Sequence, residues 1–153
     1  MNYLILLGIV LFSTLIAFQD FTTRSVSILY LIGFTLVVFF QGFMQFQLQQ
    51  TFVYFLYNLC FLAFQTSVLV LYYFIKYKNF KLLFSSLGAA DVWVLLALAF
   101  AFDLPTFIIF ICISFISALV YYSVISFVLR KQIKEIPLAG IVVVCYVFRV
   151  FAF

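Results

Sequence analysis

Apolar runs of about twenty residues, the length a helix needs to cross a bilayer, follow one another along this chain with short polar breaks between them. Inside hydrocarbon each backbone polar group has to be satisfied within its own helix or in a closed barrel. The runs lack the apolar–polar alternation of barrel strands, so helices are expected. A water-soluble domain carries about 25% charged residues, whereas only 8% are charged here and the mean hydropathy is +1.37. The pattern predicts an all-α, polytopic membrane protein. Six spans use about 120 positions of the 153 available. One membrane-embedded domain over 1–153, six transmembrane helices in a single bundle, is therefore expected.

The spans fall at 2–19, 26–43, 52–75, 88–102, 106–129 and 136–153. No Lys or Arg precedes the first, so it lacks the basic start of a secretory signal. The second ends before the glutamine-rich stretch 45–50, taken as a connection. The fourth is short for a full crossing, which places its ends below the lipid surface. Asp103-Leu104-Pro105 makes a tight corner, since proline suits the first turn of a helix. Asp103 itself fits the N-cap position there.

Basic residues in short loops stay on the cytoplasmic side. Arg24 lies in the first connection, Lys76, Lys78 and Lys81 in the third, and Arg130, Lys131 and Lys134 in the fifth. Those connections share one face of a six-span layout. Only Arg149, near the end of the last span, falls on the other, from where it can snorkel outward. Both termini are then expected outside, with the odd-numbered connections in the cytoplasm.

Several chemistries are disfavoured. There is no His, which removes imidazole bases and most zinc or haem ligation. Cys60, Cys112 and Cys145 are dispersed, with no CxxC pair, and are expected as packing thiols rather than a disulfide framework or metal site. No cofactor is expected. The net charge of +4 is spread between apolar spans and offers no surface that tracks phosphates, so nucleic acid is not an expected partner. The small residues Ser114, Ser117 and Ala118 suit close helix packing.

Carboxylates at membrane depth are expensive and call for a reason. Of the four acids, Asp20 closes the first span and Asp91 opens the fourth, which puts both at the cytoplasmic end. Asp103 is twelve residues beyond Asp91, about 18 Å along a helix, on the opposite face, and Glu135 sits in a charged loop. Two aspartates held together away from bulk water share a proton. One can then draw a proton from water while the other donates to a peptide carbonyl and to the leaving amine. The small run Gly88-Ala89-Ala90 lets a backbone come close to Asp91. An aspartate at a helix end can also be a simple cap, and Asp20 can pair with Arg24 four positions on.

Three stretches carry a resemblance. Asp20-Phe-Thr-Thr-Arg24-Ser-Val-Ser resembles the Asp-x-x-x-Arg-x-Ile-Pro-Asn motif of type IV prepilin peptidases and archaeal preflagellin peptidases. Leu87-Gly88-Ala89-Ala90-Asp91 resembles their Gly-x-Gly-Asp motif, and Ile136-Pro137-Leu138-Ala139-Gly140 is similar to the Ile-Pro-Phe-Gly-Pro stretch opening their last helix. The resemblance implies that Asp20 and Asp91 are the catalytic pair, supported by Arg24, Gly88, Ala90, Pro137 and Gly140. It also implies an intramembrane aspartic endopeptidase acting on prepilin-like leaders at the cytoplasmic face of a prokaryotic inner membrane. Three positions depart from the pattern: Ala90 replaces the second motif glycine, Ser27 the proline and Ile28 the asparagine. No CxxC…CxxC segment precedes the first span, so the methylating half of bifunctional bacterial members is not expected. The same residues also suit a non-catalytic relative acting in membrane assembly or, as a relay, a proton-coupled carrier.

Overall fold

A computed structural model of the chain describes residues 3–77, 88–129 and 136–152. Among them are five helical segments: α1 (Tyr3–Thr23), α2 (Ile28–Tyr77), α3 (Ala89–Leu98), α4 (Leu104–Leu129) and α5 (Leu138–Ala152). Three of these, α1, α2 and α4, contain stretches long and apolar enough to cross a bilayer, while α3 and α5 are apolar but shorter. The all-helical expectation is met among the described residues. Five segments cover the six expected stretches, because α2 runs through both the second and the third with a break between them.

That element is broken at a single residue, Gln47, whose φ of 65° and ψ of 160° lie outside helical space. Along a continuous helix Phe39 and Phe52 would be about 20 Å apart, yet their ring centroids are 6.0 Å apart. Phe46 and Tyr54 also meet, at 5.1 Å. The chain therefore turns back on itself at Gln47, and the expected connection at 45–50 shrinks to one non-helical residue. Its physical reason lies in the residues used. Glutamine is a good helix former and the stretch has no Gly, Pro, Asn or Asp to build a loop. Helical bonding thus resumes at once, and the Thr51 hydroxyl donates to the Gln47 carbonyl at 2.7 Å.

α5 lies at the centre and packs against α1, α3 and α4. Ala139, Gly140, Ile141, Val142 and Val143 are consecutive and all buried, so the start of α5 is enclosed on every side, while Phe148 and Phe151 farther along are exposed. Around it are Ile9 and Ile16 of α1, Phe34 and Val38 of α2, Val94 and Leu98 of α3, and Phe107 of α4. Farther along α5, Tyr146 is fully buried among the rings of Phe34, Phe102 and Phe110, and its hydroxyl donates to Gln41 Oε1. On α4, Ser114 and Ala118 are buried, as expected of small packing residues, whereas Ser117 is only half-buried and its hydroxyl donates to the Ile113 carbonyl at 2.9 Å.

The outer surface is apolar too: Leu4 is 85% exposed and Phe127 87%. Such a surface suits lipid rather than water. The cysteines correct an expectation. Cys60 and Cys112 are exposed and so are not packing thiols of the core, whereas Cys145 is half-buried and packs against it. On helices that are apolar all round, sequence carries no contrast between a core face and an outward face. Lys78, Lys81, Arg130, Lys131 and Lys134, on which the sidedness argument drew, lie outside the described residues, as does Glu135.

Candidate active site

Asp20 is in the last turn of α1 and is buried. Asp91 is in the first turn of α3 and half-buried. Both reach the start of α5. The Ala139 N–H donates to Asp91 Oδ1 at 2.7 Å, and the Gly140 N–H donates to Asp20 Oδ2 at 2.6 Å. Two successive amides thus hold one carboxylate each, and the two charges act on one another. These amides belong to the first turn of a helix, whose N–H groups have no intrahelical partner and whose dipole favours negative charge. Pro137, with no N–H of its own, is accommodated just ahead of that turn, and its carbonyl accepts the Ile141 N–H at 3.2 Å. Each carboxylate keeps one oxygen, Oδ2 on Asp91 and Oδ1 on Asp20, outside these two bonds.

Beside the aspartates, space rather than backbone angle favours glycine at two points. A Cβ at Gly140 would stand 3.0 Å from the Phe21 ring and 3.2 Å from Asp20 Oδ2. At Gly88 it would stand 2.8 Å from Asp91 Oδ2. Gly88 is the N-cap of α3, at φ −67° and ψ 134°, and Asp91, three residues on, folds back over it as the acid of a capping box does. Ala90 lies within helical α3, and positive φ among non-glycine residues is found only at Arg24 and Gln47 among the described residues. The glycine-to-alanine departure therefore meets no left-handed backbone.

Arg24, at φ 56°, ends α1 in the left-handed conformation that often closes a helix. Its guanidinium acts on Asp20 through space, and among the described residues no direct ion pair joins the two. The simple Asp20–Arg24 pairing is thus not what holds Asp20; the Gly140 amide is. The connection after Arg24 shows how the missing proline is replaced. The Ser27 N–H donates to Gln19 Oε1 at 2.7 Å, a bond proline cannot make. The Ser27 carbonyl then accepts from Tyr30 and Leu31 to start α2.

Asp103 stands apart from the pair. It immediately precedes α4, and its carbonyl accepts the Phe107 N–H at 2.9 Å, so it occupies the expected capping position, although its carboxylate makes no cap bond among the described residues. Among those residues no group of three His, Cys, Asp or Glu gathers to hold a metal ion.

Three supporting residues escaped the sequence reading. Gln19 shapes the turn beside Asp20. Asn58, fully buried, donates from Nδ2 to the carbonyls of Ala99 at 3.0 Å and Phe102 at 2.7 Å, holding the far end of α3. Trp93 Nε1 donates to Thr35 Oγ1 at 3.1 Å and ties α3 to the first arm of α2. A lone amide inside an apolar span was the available signal for Asn58. No protein-family model, no curated protein and no solved structure matches this chain.

Proposed function

We propose that this chain is a membrane-embedded aspartic endopeptidase that removes short leaders from prepilin-like membrane proteins at the cytoplasmic face. The observation that carries the reading is the meeting of Asp20 and Asp91 on the successive amides of Ala139 and Gly140. All three stretches that resemble the prepilin peptidase motifs contribute to that one place. In this reading the two arms of α2 are separate crossings. The chain then crosses six times, with both termini outside and the aspartates toward the cytoplasm of a prokaryotic cell.

The chemistry follows from the pair. One carboxylate, through the oxygen not bonded to the α5 amides, takes a proton from a water molecule as its oxygen bonds to the scissile carbonyl carbon. The protonated partner hydrogen-bonds the carbonyl oxygen and gives its proton to the nitrogen as the C–N bond breaks. A carboxylic acid and an amine leave, and the proton returns to be shared. The α5 amides hold both side chains in place, so no reorganisation is needed at the moment of reaction.

Asp20→Asn and Asp91→Asn should each lower leader cleavage by at least about a hundredfold, the scale of a lost general acid or base. Insertion and folding should be kept, because asparagine retains an oxygen to accept the α5 amide. Asp103→Asn should cleave normally. The measurement is processing of a candidate leader-bearing substrate in membranes holding equal amounts of each variant. Wild-type processing by Asp20→Asn would remove the assignment.

A further inference from the structure

The second arm of α2 is packed only over the half nearest Gln47. Thr51, Asn58 and Leu62 are buried there, one stripe at helical spacing, and Phe61 meets Phe107 near the start of α4, ring centroids 6.4 Å apart. Beyond Leu62 no described residue of that arm is buried, and on α4 none is after Ala118. The stripe nevertheless continues through Gln65, about 10 Å along the axis from Asn58. Asn58 bonds the Ala99 carbonyl at the far end of α3, and Asp91 lies about 12 Å back along that helix. Gln65 therefore comes to the depth of Asp91. On the other flank α4 reaches the dyad as well. Tyr121 meets the Phe21 ring at 5.6 Å, and the edge of that ring lies beside Gly140.

Gln65 is half-buried, and among the described residues its amide makes no hydrogen bond. Its neighbours Thr66 and Ser67 return their hydroxyls to the Leu62 and Ala63 carbonyls of their own helix, at 2.9 and 2.7 Å. A carboxamide left open inside an apolar span is costly and calls for a partner. We propose that the cleft between the second arm of α2 and the dyad-side half of α4 receives the apolar helix of the substrate, and that the Gln65 amide bonds the stretch of its main chain unwound for cleavage. The proposal rests on the endopeptidase reading above. A peptide bond has to leave its helix to reach Asp20 and Asp91, which opens N–H and C=O groups in surroundings without water. A carboxamide suits them because it donates and accepts at once. A lipid chain offers Gln65 nothing of the kind, and a second copy of this chain presents helices whose backbone groups are already bonded.

The probe is a single-span protein with a short polar leader ahead of an apolar helix of about twenty residues. A photo-reactive phenylalanine placed at Gln65 in an Asp20→Asn background, which holds substrate without cleaving it, should cross-link the helix of the probe beside its cleavage point. The same group at Leu36, exposed on the first arm of α2, should not. Gln65→Met keeps the length of the side chain and removes its hydrogen bonds. It should lower cleavage about tenfold while the melting temperature holds or rises, since the free protein loses no bond. Unchanged cleavage by Gln65→Met, a fall in its melting temperature, or cross-links that go to lipid or to a second copy would overturn the docking proposal and leave the endopeptidase reading standing. A wild-type protein that cleaves no such probe, or an Asp20→Asn protein that cleaves it normally, would remove that reading and the docking proposal with it.

Discussion

At the scale of single residues, the candidate site depends on two hydrogen bonds that leave no room for error. A Cβ at Gly140 would stand 3.0 Å from a Phe21 edge and 3.2 Å from the Asp20 carboxylate, slightly inside ordinary van der Waals contact. Gly140→Ala should push the Asp20 carboxylate off its amide while the bundle still forms. Leader cleavage should fall between about ten- and a hundredfold, since small displacements of a reacting group cost that much. Ala90 predicts the reverse. Its ordinary helical backbone means that glycine offers nothing the site lacks. Ala90→Gly should lower stability by up to about 1 kcal/mol and leave cleavage unchanged, as measured by melting and by processing in the same membranes. A rise in cleavage would show that the dyad needs backbone freedom that alanine withholds.

At the scale of elements, α3 is the one whose position decides most, because it carries Asp91 and is only ten residues long. Its start is tied to α5 through Asp91, and its end to the second arm of α2 through Asn58. The Asn58 Oδ1 has no partner, so donation to the two carbonyls is what the amide contributes. Asn58→Leu should destabilise the protein by about 2 to 3 kcal/mol, by leaving buried carbonyls unmet, and should reduce cleavage even though the substitution lies at the far end of the helix. Thermal unfolding and processing of the same preparation check both. How much of this was legible in sequence follows from how local each signal is. Asp20, Asp91, Gly88 and Gly140 belong to short motifs whose order and membrane side bring them together on paper, and they are together. The reversal at Gln47 was legible only as a vague polar stretch, because glutamine marks no turn type. Asn58 bonds carbonyls 41 and 44 residues away, which no local pattern encodes. Cys60 and Cys112, expected as packing thiols, face outward for a related reason: an all-apolar helix does not announce which side is the core.

At the scale of the whole molecule, one helix that begins at the dyad is too short to cross a bilayer. The ten residues of α3 rise about 15 Å, against a hydrocarbon core of about 30 Å. With the outer end of α3 level with the lipid surface, Asp91 lies roughly 15 Å beneath the opposite surface. In the proposed peptidase, water and a polar leader descend to it past the longer α4, twenty-six residues from end to end. A depth set by protein on one side and lipid on the other makes bilayer thickness a control on the chemistry. Lengthening the acyl chains should deepen that descent, and a bilayer thinned around α3 should shorten it, at fractions of a kcal/mol per Å of mismatch. Cleavage by protein reconstituted in a series of phosphatidylcholines of increasing chain length should therefore fall steadily as the membrane thickens, with substrate and enzyme held at constant surface density. In the proposed peptidase the lipid would then act as a tuning element of the catalyst, and thicker membranes would slow processing of the same leader.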